Sequence, residues 1–445
     1  MFDAVIIGAG IGGLVCGCNL ARNGKKVAIF EQHSLVGGCC TSFKRKEFQF
    51  DAGAHLFCEC SDVGSLNVIL KKLDIKYEFI QYTANDIIYI GNKKYNCPHK
   101  IKEFLKFLEN NFRDEKDNIR RFFLDIKKRE NINKFENIAY EELLKEYFKN
   151  QDLKKILSAM WLFAGSVPNE LCASDGISIF QSYWKEGAFY PKGGAQKFSD
   201  TFADKFNEYG GKLFLSSKVV KISKVGRVYR VKLENGSEYS ARVIVNNGDF
   251  KALKNICNNS VTFSEDARKY MNLGEESSSI FSTYWALKCD DERELNISGW
   301  YLSEADLNSK SAILLTVPSL YDKTLCADGY HILQTFSMDN YESKENQLDV
   351  VREKIQGLIL DFNKKVISLE TANWKTIQRY TVNYNGSPYG WKHSINQGGR
   401  KRMNSLIGDN IHQVGHWTQL GSGIKSVVIS GILVSRSILG KEGLY

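Results

Sequence analysis

The first 31 residues constrain this chain more than any other part of it. Asp3-Ala4-Val5-Ile6-Ile7 is a short apolar run, Gly8-Ala9-Gly10-Ile11-Gly12-Gly13 follows without a spacer, and Leu14 to Asn23 has helical character. That order reads as a strand, a tight glycine turn and a helix. Gly8 makes the turn, Gly10 lets the backbone approach a pyrophosphate, and Gly13 lets the helix pack closely on the strand; Gly12 belongs to the same cradle. Anionic oxygens would meet the free N–H groups and the positive dipole end of the helix. A second strand, Lys26-Val27-Ala28-Ile29-Phe30, ends in Glu31, 18 residues beyond Gly13. A carboxylate there, with Gln32 beside it, can accept both hydroxyls of an adenosine ribose.

A second glycine pair follows in Val36-Gly37-Gly38-Cys39-Cys40-Thr41, before Phe48-Gln49-Phe50-Asp51-Ala52-Gly53-Ala54-His55. A pair so soon after the ribose acid is a feature of flavin adenine dinucleotide (FAD) enzymes rather than of nicotinamide dehydrogenases. The backbone at Gly37 and Gly38, with Thr41, would pass close to the phosphates and ribityl chain. Only one dinucleotide fingerprint is evident, so no dedicated nicotinamide domain is expected.

Three separated blocks resemble the FAD-dependent phytoene desaturase, carotenoid isomerase and retinol saturase family, a relative of the flavin amine oxidases. The first is residues 3–57. The second is Tyr190-Pro191-Lys192-Gly193-Gly194-Ala195-Gln196, running through a helix to Tyr209 and Gly210-Gly211. Behind it, Tyr229, Val231 and Leu233 alternate with Arg230 and Lys232, Asn235-Gly236 offers a two-residue turn, and Tyr239, Ala241, Val243 and Val245 resume the alternation. The resemblance implies that Val219, in the strand before this hairpin, sets main-chain groups against the adenine. The third block is Asn410 to Thr418, then Gly421-Ser422-Gly423-Ile424-Lys425 and an apolar helix toward Leu439. It resembles a closing motif in which Gly415, Gly423 and Ile424 approach the flavin and a helix N-terminus stabilises charge on the reduced ring. His416 stands where the family usually has an acid, Leu420 and Lys425 stand at usual proline positions, and Cys39 stands at a frequent arginine. Lys425 would add positive charge near reduced flavin or lie exposed on the surface.

The resemblance implies an α/β fold, with a Rossmann-like FAD-binding domain and an inserted mixed α+β substrate domain. The expected cofactor domain is discontinuous (1–75, 190–260 and 391–445), and 76–189 and 261–390 form the substrate domain. The implied activity is that of an FAD-dependent oxidoreductase or isomerase on an apolar polyene or isoprenoid small molecule. Desaturation, saturation and cis-trans isomerisation by hydride transfer at flavin N5 all fit, with the protein supplying orientation and a dry pocket. An amine-oxidase-like reaction at a C–N bond and a non-catalytic flavin-binding partner are the alternatives. His55 is the candidate catalytic residue, as proton carrier or substrate-orienting group. Tyr190, Tyr389 and Trp391 are the candidate pocket wall.

Composition narrows the rest. At 445 residues and 43% hydrophobic, the chain can bury a large core in two or three folded units. Five prolines against 36 glycines exclude collagen-like and proline-rich classes. The net charge of +9 comes with no zinc-finger spacing and no aromatic RNA-binding signature, so no nucleic-acid partner is expected. Eleven cysteines, including Cys39-Cys40 and Cys58-Glu59-Cys60, lack metal or redox spacing and read as reduced thiols, with no metal expected. The start lacks a basic signal region and no apolar run reaches spanning length, so a cytoplasmic protein is expected. In the substrate segments, apolar positions 101, 104, 105, 108 and 112 predict an amphipathic helix. Arg120, Arg121, Lys127, Lys128 and Arg129 around Phe122-Phe123-Leu124 could touch the inner face of an anionic bilayer, against a default of a solvated helix face. Oligomeric state is not legible.

Overall fold

Continuous apolar runs buried on both faces favour parallel strands, and the first strand obeys this rule: Phe2–Ile7 runs parallel to both Val27–Phe30 and Glu238–Asn246. The computed structural model describes residues 1–441 except 84–85, 129–133, 305, 342–343 and 402, and for Arg400 only the backbone. The eight-stranded sheet orders Lys212–Phe214, Val27–Phe30, Phe2–Ile7, Glu238–Asn246, Val228–Leu233 and Val219–Val225. Ile411–Gln413 joins it in parallel beside residues 244–246, with Leu406–Gly408 antiparallel to that strand as the eighth, so a strand from near the end of the chain lies one strand away from the first.

Helix Ile11–Arg22 packs against the final helix, Ile424–Ile438, and against Gly194–Glu208. The first and last helices come so close that a Cβ on Gly431 would lie 2.6 Å from the Gly12 carbonyl oxygen.

The hairpin departs from the two-residue turn read from Asn235-Gly236. The Gly236 N–H donates to the Leu233 carbonyl at 3.0 Å and the Leu233 N–H donates to the Ser237 carbonyl at 2.9 Å, with Gly236 at φ +89°. Three residues therefore form the loop, a tight turn followed by a left-handed glycine. Asn-Gly serves this bulged geometry as well as the two-residue one, so the dipeptide alone does not set the register.

A seven-stranded sheet orders Val366–Ala372, Ile280–Lys288, Tyr330–Met338, Ile313–Thr316, Gly299–Leu302, Asp86–Ile90 and Lys93–Cys97. Its strands alternate faces with the period of two that pleating requires. Phe281, Trp285 and Leu333 pack with Val351 and Ile355 of helix Lys344–Gln356, while Tyr284, Ala286 and Phe336 join the large core of residues 104–190. The architecture is α/β, as the motifs imply.

The expected amphipathic helix spans Ile101–Asn111 and buries Phe104 and Leu108, with Phe112 buried just beyond it. Two of the basic residues are committed to the protein itself. Helix Lys116–Lys127 buries Phe122, Arg120 bonds to Glu109 at 2.8 Å, and the Arg121 guanidinium sits 4.8 Å from the Tyr147 ring centre. Leu124 is exposed, and Arg129 lies outside the described residues. No helix among the described residues is long and apolar enough to cross a membrane.

Candidate active site

The glycine turn follows the first strand directly, with Gly8 at φ +92° and Gly10 as the N-cap of helix Ile11–Arg22. A Cβ on Gly13 would stand 2.5 Å from the Gly8 carbonyl oxygen, so only glycine lets the helix descend onto the strand. The second glycine pair folds back onto this turn. Gly37 pairs in parallel with Gly10, its N–H donates to the Ala9 carbonyl at 2.8 Å, and its φ is +114°. Gly38 lies alongside with ordinary room, since a Cβ built there would be 3.5 Å from Gly10 Cα; Thr41 Oγ1 donates to the Gly38 carbonyl at 3.2 Å.

Glu31 is buried at the end of its strand. One carboxylate oxygen accepts the Ala9 N–H at 2.7 Å and the other accepts the His33 N–H at 2.9 Å. The acid is thus fastened to the glycine turn with lone pairs left for further donors. Gln32 turns its amide nitrogen toward the His33 ring at 3.3 Å. The Glu31 N–H donates to Phe214 and the Ser217 N–H donates to Glu31, which hangs the approach to Val219 beside the acid. Val219 packs in one cluster with Phe30.

Asn247 is a site residue that motif reading missed. It leaves the carboxyl end of Glu238–Asn246, the strand parallel to the first, where ligands of open α/β sheets gather. A Cβ on Gly10 would lie 2.7 Å from Asn247 Nδ2, and one on Gly12 would lie 2.8 Å from Asn247 Oδ1 and 2.9 Å from the Gly415 nitrogen. The cradle is therefore a junction of three segments. The run Asn246-Asn247-Gly248-Asp249 at that strand end was the available signal.

At the closing motif, the Gly415 N–H donates to Ser430 Oγ at 3.1 Å, Gly423 caps the final helix at φ +95°, and Ile424 opens it. His416, in the place of the usual acid, is half-buried, and desolvation pushes its imidazole down to about 4, so it stands neutral at pH 7. Lys425 is neither an unpaired charge nor a free surface lysine. Its ammonium is held by Glu59 at 2.5 Å and by Ser182, and Glu59 also accepts from Ser65 at 2.8 Å and Lys185 at 3.2 Å. Burial alone would raise the Glu59 carboxyl, but Lys425 and the two serine hydroxyls hold it down to about 2. A carboxyl lowered on folding contributes stability that is complete above the unfolded value near 4.5 and is lost as the pH falls toward 2. Acid unfolding of the wild type is expected to lose stability over that window, and Glu59→Gln is expected to flatten it. A pH-stability profile unchanged by the substitution would show the cluster contributes nothing there.

His55 is buried, stacks on Phe336 with ring centres 4.3 Å apart, and bonds through Nδ1 to the Gly53 carbonyl at 2.8 Å. Its Nε2 is buried with no partner among the described residues, and burial lowers the ring to about 4. An orphaned imidazole nitrogen has a bond to offer a group that enters the site. The three aromatic candidates do not form one wall. The Tyr190 hydroxyl donates to Asp51 at 2.6 Å inside the large core, whereas Trp391 packs edge-on to Trp417 at 4.9 Å in the cluster below the parallel sheet. Tyr389 abuts Gly165 and packs on the large core. Asp51, a second missed residue, ties two blocks together: it also accepts from Ser42 at 2.7 Å and from the Ala195 N–H at 2.8 Å, at the positive end of helix Gly194–Glu208.

The glycine turn, the fastened acid, the folded-back glycine pair and the closing turn are a donor set suited to a dinucleotide with a second, deeper ring system. The family described as flavin containing amine oxidoreductase matches residues 11–439. The chain belongs to that family. Its cofactor is FAD. Among relatives of this flavoprotein, prolycopene isomerase 1, chloroplastic, of an Oncidium hybrid cultivar is 25% identical over 100% of this chain and 84% of its own length. An all-trans-retinol 13,14-reductase of Danio rerio is 28% identical over 49% of this chain and 42% of its own. The crystal structure of an oxidoreductase from Methanosarcina mazei superposes with a TM-score of 0.76 at 17% identity, covering 98% of this chain and 100% of that one. The flavoprotein's eleven cysteines are all free, and burial raises the Cys39 thiol to about 11 and Cys58 to about 12, so both are protonated at pH 7. No cluster of three or more metal-ligating side chains occurs among the described residues.

Proposed function

We propose that this flavoprotein is an oxidoreductase acting on an apolar polyene or isoprenoid substrate, by desaturation, saturation or cis-trans isomerisation. The bound flavin supplies hydride transfer at its N5 nitrogen. In this reading the main chain of Gly8 to Gly13 receives the pyrophosphate, Glu31 the ribose hydroxyls, Gly37, Gly38 and Thr41 the phosphate and ribityl region, Val219 the adenine, and Gly415, Gly423 and Ile424 the ring end. Segments 1–75, 190–260 and 391–445 hold the cofactor, and 76–189 and 261–390 enclose the substrate.

The observation that carries the substrate class is the full-length similarity to a prolycopene isomerase. It is supported by the apolar, aromatic surroundings of His55. Phe336, Tyr284, Phe43 and Phe50 lie together, and the Tyr284 hydroxyl is spent on the Ala52 carbonyl at 2.7 Å. These rings suit a hydrocarbon, and their faces would also attract an ammonium group, so the extraction below decides between the two. Solvent extraction and mass spectrometry of protein purified from cells making isoprenoids should yield a bound polyene. A bound amine, with turnover of amines and none of polyenes, would replace this reading with amine oxidation.

His55 is assigned to the substrate side: its Nδ1–H is spent on the Gly53 carbonyl, so the unpartnered Nε2 is the nitrogen that takes a proton or accepts a hydrogen bond. His55→Phe is expected to keep flavin and fold while lowering turnover of the extracted substrate about 100-fold, the lower end of general acid–base contributions. Turnover within about twofold of wild type would make His55 a core residue.

A further inference from the structure

Three side chains far apart in sequence meet behind the closing turn. His393 Nε2 lies 3.3 Å from Ser422 Oγ, and His393 Nδ1 lies 3.3 Å from Asp175 Oδ2. His393 and Asp175 are buried, whereas Ser422, between Gly421 and Gly423, is partly exposed one residue before the cap of the final helix. Asp175 sits in the first turn of helix Ala173–Glu186, where it also accepts the Gly399 N–H at 3.3 Å. The His393 carbonyl accepts the Cys172 N–H at 2.8 Å, so the imidazole is anchored through its backbone too.

We propose that Asp175, His393 and Ser422 form a proton relay whose outlet is the closing turn, with Asp175 and His393 as positioning residues that act through the Ser422 hydroxyl. The proposal rests on the flavin reading above, which sets the cofactor in front of this turn. An acid, an imidazole and a hydroxyl in this order are the arrangement that orients a histidine and moves a proton through it. With His393 neutral, Asp175 holds the proton on Nδ1, and Nε2 accepts the Ser422 O–H. With His393 protonated, Nε2–H donates to Ser422 Oγ, and the hydroxyl hydrogen is released to face the site. In the forward sense, Ser422 gives its proton to an anionic acceptor in front of the turn, and His393 Nε2–H restores the O–H bond. One proton leaves the imidazolium, no electrons move along the relay, and water returns the proton to His393.

Among the described residues, the lysines beside the cluster are already engaged. Lys392, on the same loop, pairs with Glu170 at 3.1 Å and Glu275 at 3.6 Å. Lys401, on the following turn, donates to the main-chain carbonyls of Glu136 and Ile395 at 3.3 and 2.8 Å. The carboxylate of Glu136 lies near Gly399.

The test is the flavin midpoint potential of the holoenzyme as a function of pH, measured against a reference dye. Ser422→Ala and His393→Gln are expected each to displace the bend in that profile by about one pH unit or more. The double variant is expected to go no further, because both cut the same chain. Asp175→Asn should move the bend to lower pH, since it removes the anion that favours the imidazolium. Ser422→Ala removes only a partly exposed hydroxyl, so it keeps the test meaningful should His393→Gln fold poorly. FAD-loaded variants whose profiles superimpose on wild type, or whose displacements add, would overturn the relay and leave the flavin reading standing. A wild type that takes up no FAD would overturn both.

Discussion

Glu31→Ala is expected to weaken FAD binding by about 1–3 kcal/mol, which is about 5- to 150-fold in the dissociation constant, through loss of a buried charged hydrogen bond to the ribose. The structure adds a second effect. The Glu31 carboxylate also accepts the N–H of Ala9, which is wholly buried, and the N–H of His33. Truncation leaves the Ala9 donor without its partner at the base of the glycine turn, a cost of about 1–3 kcal/mol to the apoprotein. Fluorescence titration of apoprotein with FAD, alongside urea unfolding without it, separates the two. Glu31→Gln keeps an acceptor for Ala9 and should recover most of the stability while remaining weak for FAD. An affinity unchanged in Glu31→Ala would reject the ribose assignment.

Gly37→Ala is expected to be the most damaging single change in the cradle. The residue stands at φ +114°, and a Cβ there would lie 2.4 Å from the Cys40 carbonyl oxygen and 2.7 Å from Ser199 Oγ. Ser199 Oγ is itself bonded to that same carbonyl at 2.5 Å, so neither neighbour can yield without breaking a buried contact. Backbone strain of about 1–3 kcal/mol and overpacking of about 1–3 kcal/mol together consume a large part of the roughly 5–15 kcal/mol that a typical domain has. Gly24→Ala is the control, because Gly24 also has a positive φ, of +78°, yet a Cβ there meets nothing within 4 Å. Denaturant midpoints should fall sharply for Gly37→Ala, with flavin lost, and slightly for Gly24→Ala. Equal midpoints would show that the second glycine pair does not hold the turn.

Local pattern made the cradle legible. The run from Asp3 to Glu31 names its own strand, turn, helix and acid because each feature depends on neighbours within a few residues. The same holds for the helix at Ile101–Asn111, whose apolar stripe is written at helical spacing. What escaped reading depends on partners hundreds of positions away. Asp86–Ile90 pairs with Gly299–Leu302 in the seven-stranded sheet, and nothing in either segment names the other. Lys425 reads as an exposed or flavin-facing charge until Glu59 is brought beneath it. Asn247 lay in plain view after the hairpin, but its role exists only because the strand it follows runs parallel to the first. Tyr190 and Trp391 fall in different clusters, a separation that the neighbours of neither residue announce.

The most direct measurement is a structure of the full chain with FAD bound. The pyrophosphate should rest against the main chain of Gly10 to Gly13, the ribose hydroxyls on Glu31, the adenine beside Val219, and the ring end at Gly415 and Gly423. A dinucleotide bound away from these residues, or a chain that binds none at saturating FAD, would contradict the convergence of the beginning, middle and end of the sequence on one coenzyme.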